Sequence, residues 1–227
     1  MSIKAVLFDF DDTLGDRETY THLTYIRRVD EVLKDADPWF RETVIQICLV
    51  VDEHGEAPKS QVRKTVLEKC GVDLGEDLAQ FWMDHQWEST VLYGDARPTL
   101  EELKKRGYRV GIITNGTAFG QRRKIEKSGI LNLMDAIVIS GETDTAKPDP
   151  KIFELAAEKL GLSCAECAFV GDMFRNDIYG AHLAGMRPIW IWPHGSDRYA
   201  DVDVEKIDRL SNLLDIFPPL NNQEGQS

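Results

Sequence analysis

Ile3-Lys4-Ala5-Val6-Leu7-Phe8-Asp9-Phe10-Asp11-Asp12-Thr13-Leu14 opens the chain with an apolar run that stops at three carboxylates. A short apolar run with β-branched and aromatic residues, bounded by polar ones, reads as a buried strand. In an open α/β sheet, ligands bind in the crevice beyond the carboxyl ends of the strands. Side chains two apart on a strand share a face, so Asp9 and Asp11 can point at the same spot if the strand persists that far. Packing like charges there costs free energy, which a metal or a function must offset. The competing reading is a polar turn that merely ends a strand, and the motif alone does not separate the two.

The rest of the chain decides between them. At 227 residues it is long enough for one large domain or a core with a smaller insert. Lys plus Arg number 27 against 39 Asp plus Glu, a formal charge of −12 that would repel a phosphodiester backbone. A nucleic-acid polymer is therefore not an expected partner, whereas a small phosphate ester is, because a local cation can outweigh the global field. The apolar stretches fall far short of the roughly 20 residues that span a bilayer. The amino terminus reads as a strand and not as a signal peptide. Four cysteines, Cys48, Cys70, Cys164 and Cys167, are too few for a disulfide scaffold. These features lead us to expect a cytoplasmic protein, with no membrane partner and reduced thiols.

From Asp16 to Leu92 strand signals are missing and four helices are expected. The first runs from near Arg17 to Lys34, with Leu23, Ile26, Val29 or Asp30, and Leu33 at helical spacing. The second opens on the cap Asp37-Pro38, carries Phe40, Val44, Ile47, Cys48 and Val51, and stops near His54-Gly55. A third starts at Ser60 and ends at Cys70-Gly71, and a fourth runs from about Glu76 to Tyr93 with Leu78, Phe81, Trp82, His85 and Leu92 inward. Together they make a small bundle. Beyond it, helices and strands alternate. Strands are expected at Tyr108–Ile113, Ala136–Ile139, Cys167–Val170 and Pro188–Trp192, the last of them. Helices are expected near Thr99–Arg106, Gln121–Ser128, Lys151–Leu160, Asn176–Ala184 and Ile207–Ile216, before a polar tail from Asn221 that reads as disordered. Alternation of this kind indicates an α/β fold: a doubly wound parallel sheet with helices on both faces. Residues 1–15 and 93–227 form this core, and 16–92 is a helical insertion.

Three further polar clusters follow strands or sit between them. Thr114-Asn115-Gly116 ends a strand with a hydroxyl, an amide and a flexible backbone. Lys147-Pro148-Asp149-Pro150 sets a cation between stiff prolines. Gly171-Asp172-Met173-Phe174-Arg175-Asn176-Asp177 ends a strand with two more carboxylates five residues apart. Each has a plain alternative: a common turn, a solvated lysine, a helix cap.

In order, at strand ends and with an insert after the first, the four motifs resemble the haloacid dehalogenase superfamily, chiefly its phosphatases with an α-helical cap. The Asp-Phe-Asp-Asp-Thr-Leu form looks most like the pyrimidine nucleotidase and acylneuraminate phosphatase branch. The resemblance implies a Rossmann-like core and a Mg²⁺-dependent phosphatase of small phosphomonoesters. Asp9 would be the nucleophile that carries an aspartyl-phosphate, and Asp11 the general acid and then base. Mg²⁺ would be held by Asp9, the Asp11 carbonyl and Asp172, with Asp177 in or near the next layer. Thr114, Asn115 and Lys147 would hold the phosphoryl oxygens. The substrate would be a small phosphorylated metabolite, a nucleotide or a sugar phosphate, and the enzyme a monomer or homodimer. Candidates for substrate selection in the cap are Asp16, Arg17, Tyr20 and Trp87. In-class rivals are a phosphomutase and a dehalogenase, although Asp11 favours phosphoryl chemistry because a departing halide needs no proton. A non-catalytic binding module on the same fold would not require Asp9, Asp11, Lys147 and Asp172 together. Cys164-x-x-Cys167 lacks partners for a metal site and reads as packing. Trp190 and Trp192 read as packing beneath helices.

Overall fold

The computed structural model describes residues 2–191 and 202–220. The chain divides into two compact units, Met1–Gly15 with Leu92–Ser227, and Asp16–Val91. In the first, β1 (Ala5–Phe8) is followed, after the second unit, by further strands and helices. The second unit holds α1 (Arg17–Val32), α2 (Pro38–Asp52), α3 (Lys59–Cys70) and α4 (Leu78–His85). Return to the first unit brings α5 (Ala96–Lys105), β2 (Arg109–Thr114), α6 (Ala118–Ser128), β3 (Ala136–Ile139) and α7 (Pro150–Lys159). The order ends with β4 (Cys167–Gly171), a π-helical turn Phe174–Ile178, α8 (Tyr179–Ala184), β5 (Arg187–Ile191), β6 (Glu205–Ile207) and α9 (Leu213–Ile216).

Among the described residues the six strands form one parallel sheet, ordered β3-β2-β1-β4-β5-β6. Strand residues alternate between its faces. Val6, Phe8, Ala168 and Val170 join α5, α6 and the carboxyl-terminal segment in one core; Ala5, Leu7, Cys167 and Phe169 join α7 and α8 in the other. With both faces covered, every residue of β1 is buried, which is why it reads as a continuous apolar run. β1 lies at the middle of the sheet, between β2 and β4, so the carboxyl ends of three adjacent strands meet beside Asp9.

The second unit packs its four helices around Tyr25, Val29, Val44, Ile45, Cys48, Val62, Val66, Leu74, Leu78 and Trp82. Asp37 caps α2, accepting from the amides of Trp39 and Phe40, with Pro38 at the first helical position. Gly71 closes α3 with a left-handed turn.

Several expectations are corrected. Leu23 and Phe40 are exposed. α1 buries Val29 as expected but turns Tyr20, Thr21, Thr24 and Tyr25 inward beside it, a face that polarity disguises because Thr24 bonds the Tyr20 carbonyl and Tyr25 bonds Asp52. α4 ends at His85 and passes through a short 3₁₀ turn, so Leu92 joins the sheet's core and not the bundle's. β6 was not expected: Glu205-Lys206-Ile207 is a three-residue edge strand with one buried side chain, too short for a period to register. Ile207 belongs to that strand, which leaves the last helix with only Leu213–Ile216. Trp192 and the tail from Asn221 lie outside the described residues.

The second unit also buries a charge. The Asp52 carboxylate accepts from Arg17 at 2.8 Å, from the Tyr25 hydroxyl at 3.0 Å and from Lys59. Burial pushes its pKa up, but Arg17 and Lys59 outweigh burial and hold it below the ordinary carboxylate value. A folded pKa below the unfolded value of about 3.9 gives stability that is complete above that pH and lost as pH falls through the lowered value. Asp52→Asn should therefore cost about 3 kcal/mol at pH 7, as breaking a buried pair does. The gap between wild type and variant in denaturant unfolding should close below about pH 4. A gap independent of pH would show that Asp52 acts by packing alone.

Candidate active site

The site grows from the end of β1. Asp9 extends the strand by one residue, its amide bonded to the Val170 carbonyl at 2.9 Å. The chain then turns sharply: the amides of Thr13, Leu14 and Gly15 all converge on the Phe10 carbonyl. Asp12 takes up φ +59°, a left-handed conformation that aspartate tolerates better than most residues.

Lys147 reaches the site from the loop between β3 and α7. Its ammonium is 2.7 Å from Asp9 Oδ1 and 2.6 Å from Asp177 Oδ1, in nearly complete burial. Burial pushes the lysine pKa down, but the Asp177 and Asp9 carboxylates overcome it and hold the ammonium above its usual range. Burial also pushes the Asp9 carboxyl up, to about 7, with Lys147 pulling down and Asp177 and Asp11 pushing up. Asp172 is raised well above the ordinary value by burial and by Asp177 and Asp9. One oxygen from each of Asp9, Asp172 and Asp177 lies within 4.8 Å of the others. Three carboxylates at such spacing, beside one lysine, form an all-oxygen donor set short of positive charge. That is the chemistry of a hard divalent cation, and the residues fit one.

The flanking parts hold this cluster in place. Asp177 Oδ2 accepts from the Met173 amide at 2.9 Å, so both of its oxygens are engaged. Gly171 permits the approach: a Cβ there would sit 2.4 Å from the Asp177 Cβ. Asp172 accepts from the Thr13 hydroxyl at 3.3 Å, and its carbonyl accepts from Trp190 Nε1 at 2.7 Å. Thr114 is buried at the end of β2. Asn115 is committed elsewhere than expected. Its side-chain amide donates to the Lys147 carbonyl and accepts from the Lys147 amide, both at 2.9 Å, which ties two of the sequence motifs together. Arg17 is spent on Asp52, Asp16 caps α1 through the Thr19 amide, and Tyr20 is fully buried.

Asp11 brings in two residues the sequence reading missed. Both its oxygens lie 2.9 Å from Lys124 Nζ, and Oδ2 also accepts from Gln121 Nε2 at 2.8 Å. Both partners are buried on α6. A signal was available: Gln121, Lys124 and Ile125 stand at i, i+3 and i+4, so two polar residues share the face that the apolar Ile125 turns to the core.

The model of the haloacid dehalogenase-like hydrolases matches residues 3–185 of this chain, and the chain belongs to that family. It lies on the phosphatase branch, an enzyme that hydrolyses phosphoric monoesters. A glyceraldehyde 3-phosphate phosphatase of Methanopyrus kandleri is 33% identical, over 96% of this chain and 98% of its own. An N-acylneuraminate-9-phosphatase of Mus musculus is 30% identical, over 83% and 82%. The crystal structure of a phosphatase of this family from Thermococcus onnurineus superposes with a TM-score of 0.68 at 28% identity, covering 96% of this chain and all of the other. Members of the family generally use a divalent metal, in keeping with the buried aspartate cluster.

The charge balance sets opposite expectations for two substitutions. Lys147→Met leaves the carboxylates uncompensated and should destabilise the metal-free protein by about 3–5 kcal/mol. A carboxyl with a raised folded pKa costs stability above its unfolded pKa, so Asp172→Asn should leave the metal-free protein as stable as wild type or more so. Denaturant unfolding in EDTA at pH 7.5 reads both. A drop for Asp172→Asn would show that its carboxylate is a net structural support.

Proposed function

We propose that this chain is a cytoplasmic, Mg²⁺-dependent phosphatase of small phosphorylated metabolites that carries the phosphoryl group on Asp9. The observation that carries the reading is the Asp9 carboxylate at the end of the central strand, 2.7 Å from a buried ammonium and beside two further carboxylates. In this scheme an Asp9 oxygen attacks phosphorus as the ester P–O bond breaks, and Asp11 gives its proton to the departing oxygen. Asp11 then takes a proton from water as the water oxygen attacks phosphorus. The bond to Asp9 breaks, and orthophosphate leaves. Lys147 and the Thr114 hydroxyl face the charge on the phosphoryl oxygens, with the Asn115 backbone amide beside them. Asn115 serves by fixing Lys147.

A divalent cation would neutralise phosphoryl charge in this site, held by the carboxylates of Asp9 and Asp172 and the carbonyl of Asp11. Mg²⁺ suits the all-oxygen donors and a site that retains water. Asp177, with both oxygens engaged, supports the site from behind. The 16–91 insert is the helical cap of this scheme and the seat of specificity. Among small phosphorylated metabolites we favour a sugar phosphate over a nucleotide, since the names of the relatives from Methanopyrus kandleri and Mus musculus both specify phosphorylated sugars or sugar acids. Phosphate release from a panel of triose, hexose and acidic-sugar phosphates and nucleotides, with Mg²⁺ and with EDTA, tests both proposals. Preferential turnover of nucleotides, or activity that survives EDTA, would refute the corresponding half.

The two aspartates separate by leaving group. Asp9→Asn should abolish turnover of every ester. Asp11→Asn should slow both steps on an alkyl phosphate, about 10²-fold or more. On an aryl phosphate with an acidic phenol the first step should survive better than the second. A phenol burst should then precede slow turnover, with phosphate on Asp9 in quenched protein analysed by mass. Phosphate found on another residue would show the mechanism to be wrong.

A further inference from the structure

We infer that Lys124 and Gln121 are positioning residues for Asp11, fixing its carboxylate in the orientation that activates the hydrolytic water. This rests on the reading of Asp11 given above. A carboxylate on a tight turn can rotate about two side-chain torsions, yet proton transfer needs it aimed to within an ångström; a misplacement of that size costs about 10²-fold. Within the turn, the amides of Thr13, Leu14 and Gly15 bond the Phe10 carbonyl. The side chain is gripped from α6: the Lys124 ammonium spans both oxygens at 2.9 Å, and the Gln121 amide reaches Oδ2 at 2.8 Å.

This grip is built, and built from the phosphate-binding loop. Lys124 and Gln121 are 5% and 4% exposed, and burying an ammonium is expensive without a partner. Gln121 Nε2 also donates to the Asn115 carbonyl at 2.9 Å, so one amide bridges the loop and Asp11. Gly116, at φ +142°, leaves room for it: a Cβ there would lie 2.8 Å from Gln121 Nε2. Thr117 caps α6 through the Gly120 amide and sets the helix's origin in the same loop. Thus Asn115 orients Lys147 through its side chain and Gln121 through its carbonyl, and Gln121 with Lys124 orients Asp11.

The test is a cycle of variants on full-length protein with Mg²⁺, using rapid mixing on an aryl and an alkyl phosphate. Lys124→Met keeps the unbranched stem of the side chain, one atom shorter, and removes the ammonium that makes the grip. It should reproduce the Asp11→Asn pattern: a phenol burst with dephosphorylation slowed about 10²-fold, and little change in KM. Lys124→Arg should recover part of the rate. The double variant Lys124→Met, Asp11→Asn should be no slower than Asp11→Asn alone, because residues that act through one group are not additive. Gln121→Met should show the same pattern more weakly, and it carries the test if circular dichroism shows Lys124→Met to be unfolded. Losses equal for both leaving groups and additive with Asp11→Asn would reduce the pair to a structural role and overturn the inference. Faster turnover in Lys124→Met would overturn it too, by showing that α6 holds Asp11 away from its task. If Asp11→Asn itself lacks the leaving-group pattern, the assignment of Asp11 falls, and this inference with it.

Discussion

The buried contact between the Lys147 ammonium and the carboxylates of Asp9 and Asp177 is the interaction on which the first unit's site depends. Without it, three carboxylates would share one end of a sheet with burial and mutual repulsion both opposing their ionisation. With it, the lysine offsets part of the charge and leaves a deficit that a divalent cation can fill. The raised Asp9 and Asp172 carboxyls express that deficit. A site balanced by protein cations alone would have little reason to bind either metal or phosphate.

The parallel sheet makes this concentration of charge possible. Because β1, β2 and β4 run side by side in one direction, their polar carboxyl ends meet at one edge while their apolar bodies stay in the two cores. Close approach then depends on small residues where chains converge. Gly171 lets Asp177 fold back against the end of β4, and Gly116 lets Gln121 reach the loop after β2. The hydrogen bonds of Asn115 to both backbone groups of Lys147 convert two separate loops into one rigid part.

The second unit handles charge by a different rule. Asp52 is matched by two cations and a phenol, so its deficit is filled from within, and its carboxyl moves below the ordinary range where those of Asp9 and Asp172 move above it. Lys59 also lies 3.9 Å from the centre of the Trp82 ring, a cation–π contact that joins the pair to the bundle's core. Buried aspartates of the same intrinsic acidity thus serve as a structural tie in one unit and as an under-compensated cluster in the other. The difference lies in the partners within reach.

Local chemistry was legible in the sequence. The apolar runs of β1, β3 and β4, the Asp37-Pro38 cap, and the glycine after α3 act over a few residues, so reading them needs no knowledge of distant partners. The order of the four polar motifs at strand ends was enough to indicate a phosphatase of this family. Tertiary structure decided what depends on residues far apart in the chain. It assigned Asn115 to Lys147, turned Thr24 and Tyr25 inward in place of Leu23, added the edge strand β6, and delivered Lys124 to an aspartate 113 positions away. Periodicity reports where apolar residues face, whereas a buried polar side chain is accommodated only by the partner that folding brings to it.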